Sequence, residues 1–174
     1  MHFEVVHEFD IPLDALELAV ISPNLFQELS KRLHSIESVS QKEHVLSAGP
    51  NARLDRVWSY RANVRIPAFA TKYVTPEMCA WDEKSTYDIK RHSSEWTIVP
   101  HVKPEWRKAF AAKGTYSLAE LGSGRTRRTV SGSIELRVRI IGPLRQVAEK
   151  LIVGEVRKTF DAEAETLREL ATLV

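Results

Sequence analysis

The chain has 174 residues, 43% of them apolar and 28% charged, and its 25 basic and 23 acidic side chains leave a formal net charge of +2. That length suits a single domain spanning 1–174 with a sizeable core, and that composition excludes a disordered chain. So small a charge excess gives no ground for a nucleic-acid partner, and allows transient membrane contact at most.

One cysteine, Cys79, excludes an intrachain disulfide and fits a reducing cytoplasm. The opening Met-His-Phe-Glu-Val-Val-His-Glu lacks the basic and apolar regions of a leader, and no run reaches the roughly 18 apolar residues of a membrane span. A cytoplasmic protein is expected.

The segment His2–Phe9 alternates, with Phe3, Val5, His7 and Phe9 on one face and Glu4 and Glu8 on the other, which predicts a strand. Asp10-Ile11-Pro12 ends it. Pro12 presets a first helical turn, and Leu13, Leu16, Val20 and Ile21 follow at helical spacing. Ser22-Pro23 interrupts that helix and starts a second one, from about Asn24 to Leu33, with Leu25, Phe26, Leu29 and Leu33 on its apolar face.

Strands are then predicted at Ile36–Leu46, Leu54–Ile66, Met78–Ile89, Glu95–Val99 and Lys108–Glu120. In the second of these, Trp58, Tyr60, Ala62, Val64 and Ile66 share a face. Ala68–Tyr73 reads as a helical turn or a loop carrying Phe69 and Tyr73. Leu121-Gly122-Ser123-Gly124 supplies a hairpin turn. The strand after it is the most regular: Val130, Ile134, Leu136, Val138 and Ile140 face one way, while Arg127, Thr129, Ser131, Ser133, Glu135, Arg137 and Arg139 face the other. Such alternation fits an antiparallel sheet with one wet face.

Gly142-Pro143 breaks this strand, and a helix of roughly 30 residues follows. Its stripe of Leu144, Ala148, Leu151, Ile152, Val156, Phe160, Ala164, Leu167, Leu170 and Ala171 is close to period 3.6. A strand, two short helices, six strands and a long helix make an α+β domain.

That order resembles the START-like, or SRPBCC, superfamily, to which polyketide cyclases and coenzyme-Q-binding proteins belong. His2-Phe3-Glu4-Val5 through Asp10-Ile11-Pro12 look like its opening. Pro67-Ala68-Phe69, Trp81-Asp82, Trp96-Thr97-Ile98-Val99-Pro100 and Arg139-Ile140-Ile141-Gly142-Pro143-Leu144, with Glu149 following, look like an uncharacterised bacterial family within it. The resemblance implies a helix-grip fold, in which a seven-stranded curved antiparallel sheet wraps the C-terminal helix. It also implies a deep pocket between sheet and helix that takes lipids, quinones or polyketide-like molecules.

The expected wall of that pocket comprises Trp58, Tyr60, Trp81, Trp96, Phe110, Tyr116 and Ile134 from the strands and Leu151, Val156 and Phe160 from the helix. His7 or Tyr60 serves as a polar handle, and Phe69 and Tyr73 lie at the mouth. Ala112, Gly114, Ala148, Gly154 and Ala164 are small enough to leave volume unfilled; close packing is the other reading of Gly154.

Asp82, Glu83 and Asp88 are read as a solvated strand edge, and Arg125, Arg127, Arg137 and Arg139 as a solvated outer face with Glu135 among their partners. His2, His34, His44, His92 and His101 show no metal-ligand spacing with one another or with Cys79, and no nucleotide-binding motif occurs; no metal, cofactor or catalytic residue is assigned. The first functional expectation is non-catalytic binding or transport of a hydrophobic small molecule. The alternatives are a cyclase or dehydratase using the same cavity, with His7, Tyr60 and Tyr116 as its candidates, and a protein-interaction module.

Overall fold

The computed structural model describes residues 1–63, 79–102, 110–137 and 142–173, without the side chains of 136, 142–149 and 151. Its elements are β1 (His2–Phe9), α1 (Leu13–Ile21), α2 (Asn24–Ser30), β2 (Ile36–Ser47), β3 (Arg53–Ala62), β4 (Ala80–Asp88), β5 (Ser93–Pro100), β6 (Phe110–Gly122), β7 (Arg125–Leu136) and α3 (Gly142–Ala171). The strands form one seven-stranded sheet in the order β1-β7-β6-β5-β4-β3-β2, every pairing antiparallel. Consecutive strands are neighbours except β1, which closes against the last strand. The helix pair between β1 and β2 therefore carries the chain from one edge of the sheet to the other.

Local chemistry fixes the register of the central hairpin. Ser123 and Gly124 take φ of 55° and 71°, the left-handed pair of a two-residue turn, and Gly122 pairs with Arg125 across it. Gly122 itself, at φ 80°, sits where the ladder slips by one residue after Glu120. From there the alternation of β7 and β6 sets which side chains face α3. One edge strand, β2, is mostly exposed and carries Glu37, Lys42 and Glu43, charges that discourage another chain from adding to that edge.

α3 lies across the inner face. Its C-terminal half buries Ala164, Leu167 and Leu170 against Leu16, Ala19 and Val20 of α1, Leu25 and Leu29 of α2, and the inward faces of the strands. Burying a side chain such as Leu167 contributes roughly 2–3 kcal/mol. Arg32, just after α2, ion-pairs Glu169 of α3. The short helices thus act as a lid over the apolar end of the grip. No described helix is long and apolar enough to cross a membrane.

One sequence expectation changes here. Gly114 does not open a void: it pairs with Gly132, and a methyl on either glycine would meet the ring of Trp96. The volume left by the two missing side chains is filled by an indole. Among the described residues, none has an atom within 4 Å of where a Cβ on Gly154 would stand.

A charged and aromatic cavity between sheet and helix

Inward parity brings charge as well as rings into the grip. On β3, Leu54, Arg56, Trp58 and Tyr60 are all buried, while the residues between them are more exposed. On β4 the same face carries Trp81, Glu83, Ser85 and Tyr87, and Tyr60 stacks on its cross-strand partner Trp81 with ring centroids 5.5 Å apart. β5 adds Ser94 and Trp96, β6 adds Tyr116, and β7 adds Thr126, Arg128 and Val130.

These side chains enclose a small cavity of about 30 Å³ under α3. Arg56, Trp58, Tyr60, Glu83, Trp96 and Tyr116 line it from the sheet, with Ser85 and Ser94 between them. Thr159, Phe160 and Glu163 line it from α3, and Leu29 closes one side. A cavity of that size holds a water molecule. A second, broader hollow of about 810 Å³ lies over the outward side chains of Glu4, Glu95, Lys113, Thr115 and Ser131.

Two arginines organise the interior. Arg128 is fully buried; it donates to Glu163 Oε2 at 3.1 Å and to the Phe160 carbonyl at 2.8 Å, so one side chain ties β7 to α3. Its guanidinium also faces the rings of Tyr116 and Phe160. Arg56 donates to the Val20 carbonyl at 3.1 Å and to Ser85 Oγ at 3.4 Å, and lies 4.7 Å from the Trp58 ring. Among the described residues no carboxylate forms an ion pair with Arg56.

Burial shifts the acids. Loss of hydration pushes the Glu83 carboxyl up to about 7; nearby Glu163 adds to the rise and Arg56 opposes it. Desolvation also raises the phenols of Tyr60 and Tyr116, so both stay protonated. Tyr87 is raised by burial and by its 2.7 Å hydrogen bond to Glu17, whose carboxylate also meets His92 Nδ1 at 2.8 Å.

A pH signature follows. Because the Glu83 pKa is raised in the folded state, the protonated form is the stable one. Stability is therefore fully retained below the unfolded value near 4.5 and falls as pH climbs through about 7. Glu83→Gln removes that penalty. The variant should match the parent near pH 4.5 and exceed it at pH 8 by about 2 kcal/mol, allowing for partial exposure. Urea denaturation at the two pH values measures the difference.

Of the residues expected from sequence, Trp58, Tyr60, Trp96, Tyr116 and Phe160 line the cavity. Trp81, Phe110 and Val156 are half-buried against the core, and Ile134 is buried. Phe69 and Tyr73, and the side chain of Leu151, lie outside the described residues.

His7 does not line the cavity. Its Nε2 meets Asp161 Oδ1 of α3 at 2.9 Å, and burial lowers its pKa despite that bond. Glu83 joins the cavity wall instead of the solvated edge expected for it. Arg56, Arg128, Glu83 and Glu163 are absent from the wall expected from sequence, although each has the inward parity or helix phase of residues that the pattern buries. Arg125 and Arg127 do pair with Glu8 outside, and Arg137 with Glu135; Arg139 lies outside the described residues.

The family model described as "Protein of unknown function (DUF2505)" matches residues 4–170. The chain belongs to that family. No curated protein matches it. Similar solved structures include a Thermus thermophilus protein, at 17% identity and a TM-score of 0.59 over 99% of this chain and 98% of that one. They also include the Zhui aromatase/cyclase of a Streptomyces species, at 13% identity and TM-score 0.61 over 99% and 93%. Norcoclaurine synthase of Thalictrum flavum is similar at 14% identity and TM-score 0.59 over 95% and 84%. At such identities the likeness establishes the fold. This DUF2505 chain has the START-like helix-grip architecture, with a seven-stranded antiparallel sheet around a C-terminal helix.

Proposed function

We propose that this cytoplasmic chain binds an amphipathic small molecule between sheet and α3 and carries it unchanged. The observation that supports this most is the cavity itself, where polar atoms without partners face aromatic walls at the centre of the grip. At about 30 Å³ it accepts only the polar end of a ligand. The apolar remainder would lie against Tyr60, Trp81 and Phe110, toward the end of the sheet from which α3 starts. Burial there contributes ~25 cal/mol per Å² before association costs.

Native mass spectrometry of protein purified from its source organism tests the reading. A small-molecule adduct that disappears on denaturation is expected, and Trp81→Ala should weaken its rebinding at least tenfold. Adduct-free preparations, with no apolar dye bound in the grip, would sink it.

One observation favours an enzyme as the second reading. Glu83, poised near 7 on the cavity wall, has the pKa of a general acid or base. A cyclase-like activity would use it in place of His7. Glu83→Gln would then retain the captured molecule but abolish its conversion.

A further inference from the structure

We infer that the cavity seats the carboxylate of its ligand, held by the indole N–H groups of Trp58 and Trp96 and the hydroxyl of Tyr116 beside the guanidinium of Arg56. This rests on the ligand-binding reading above and names the chemical class of the ligand's polar end.

The argument is a count of donors and charge. Trp58, Trp96 and Tyr116 are 5%, 8% and 7% exposed, and all three line the cavity. Their Nε1, Nε1 and Oη atoms are buried, and among the described residues none has a partner at good hydrogen-bond geometry, although the Arg128 guanidinium approaches the Tyr116 hydroxyl and leaves its proton free to donate. An indole N–H can only donate, and a buried donor left unpaired costs on the order of 1–3 kcal/mol. Three such groups around one hollow call for an acceptor with several lone pairs, which a carboxylate supplies.

Charge selects the anion over a neutral carbonyl. Arg56 is 8% exposed, lines the same hollow and, among the described residues, is held only by neutral acceptors, Ser85 Oγ and the Val20 carbonyl. The two carboxyls in the wall do not cancel it. Glu163 is already matched by Arg128. Glu83 is protonated below about 7, where it too can donate. Facing Glu83 across the cavity are Arg56 and Tyr60 of β3, Tyr116 of β6 and Glu163 of α3. Once Glu83 ionises, it competes with the ligand for the field of Arg56, so affinity for the anion falls as pH rises through that range.

Matched probes separate this inference from the reading beneath it. The full chain is titrated with cis-parinaric acid and 2-naphthoic acid and with their methyl esters, at pH 6 and pH 8, followed by quenching of tryptophan fluorescence. Both acids are ionised at both pH values. At least one acid should bind tenfold or more tighter than its ester at pH 6, with that preference shrinking at least threefold at pH 8. Arg56→Met should erase the preference while ester binding persists. Should that variant fail to fold, Trp58→Phe, which keeps a ring and loses the N–H, should reduce it threefold to tenfold, and Arg56→Lys should retain most of it. Equal binding of acid and ester overturns the carboxylate seat and leaves the carrier reading standing. A preference untouched by these substitutions also overturns it. If no probe binds, both fall.

Discussion

Arg128→Met should lower the free energy of unfolding by about 3–5 kcal/mol. Arg128 has no exposed surface, and its partner Glu163 is nearly as deep. Methionine keeps much of the stem's packing but leaves the Glu163 carboxylate with no cation at hydrogen-bond distance among the described residues. It also removes the donor to the Phe160 carbonyl. An unmatched buried charge is far costlier than the pair is beneficial.

The double variant Arg128→Met/Glu163→Leu should therefore recover most of the loss and come within about 1–2 kcal/mol of the parent. Chemical denaturation of the parent, both single variants and the double variant closes the cycle. Hydrogen exchange of the α3 amides should accelerate in Arg128→Met, since this side chain joins strand to helix. A single-variant loss below 1 kcal/mol would show that α3 is held by its apolar stripe alone.

This ion pair also shows where sequence reading reaches its limit. The period-two pattern of the last strand places Val130 and Ile134 inside, and the same parity places Arg128 and Thr126 inside. An arginine there was legible as an anomaly, but its partner was not. Glu163 lies 35 positions away on a helix whose rotation against the sheet is set by packing. Likewise the parity that buries Trp58 and Tyr60 buries Arg56, yet only the antiparallel registers bring Arg56 level with Ser85, and Tyr60 level with Trp81.

Architecture was readable because hairpin turns and hydrophobic periodicity are local signals. The character of the hollow was not, because it depends on which long side chains meet across strands. Arg56, Glu83 and Glu163 line the hollow together with the aromatic rings and Tyr60, while His7 meets Asp161 away from that lining. Gly114 looks like spare volume in the sequence for the same reason: the ring that fills it comes from a different strand.

That ring leads to the second large effect. Gly114→Ala should destabilise the fold by about 3 kcal/mol or more, because its methyl would stand 2.0 Å from the Ser131 carbonyl and 2.4 Å from Trp96 Cζ2. A carbonyl of a paired strand cannot move without breaking the ladder. Gly132→Ala meets chiefly the indole, at 2.6 and 2.8 Å, with the Lys113 carbonyl at 2.9 Å. Its cost, about 2–3 kcal/mol, should depend on the size of residue 96.

Trp96→Phe removes the atoms in the way, so the cycle Gly132→Ala with Trp96→Phe should show favourable coupling of about 1 kcal/mol or more. The same cycle at Gly114 should leave most of the loss in place, since the backbone clash remains. Gly132→Ala should also disturb the cavity, because the displaced indole carries one of its unpaired donors. Near-parental stability in Gly114→Ala, measured by thermal and urea unfolding, would mean that β6 and β7 stand further apart at this point than the paired glycines require.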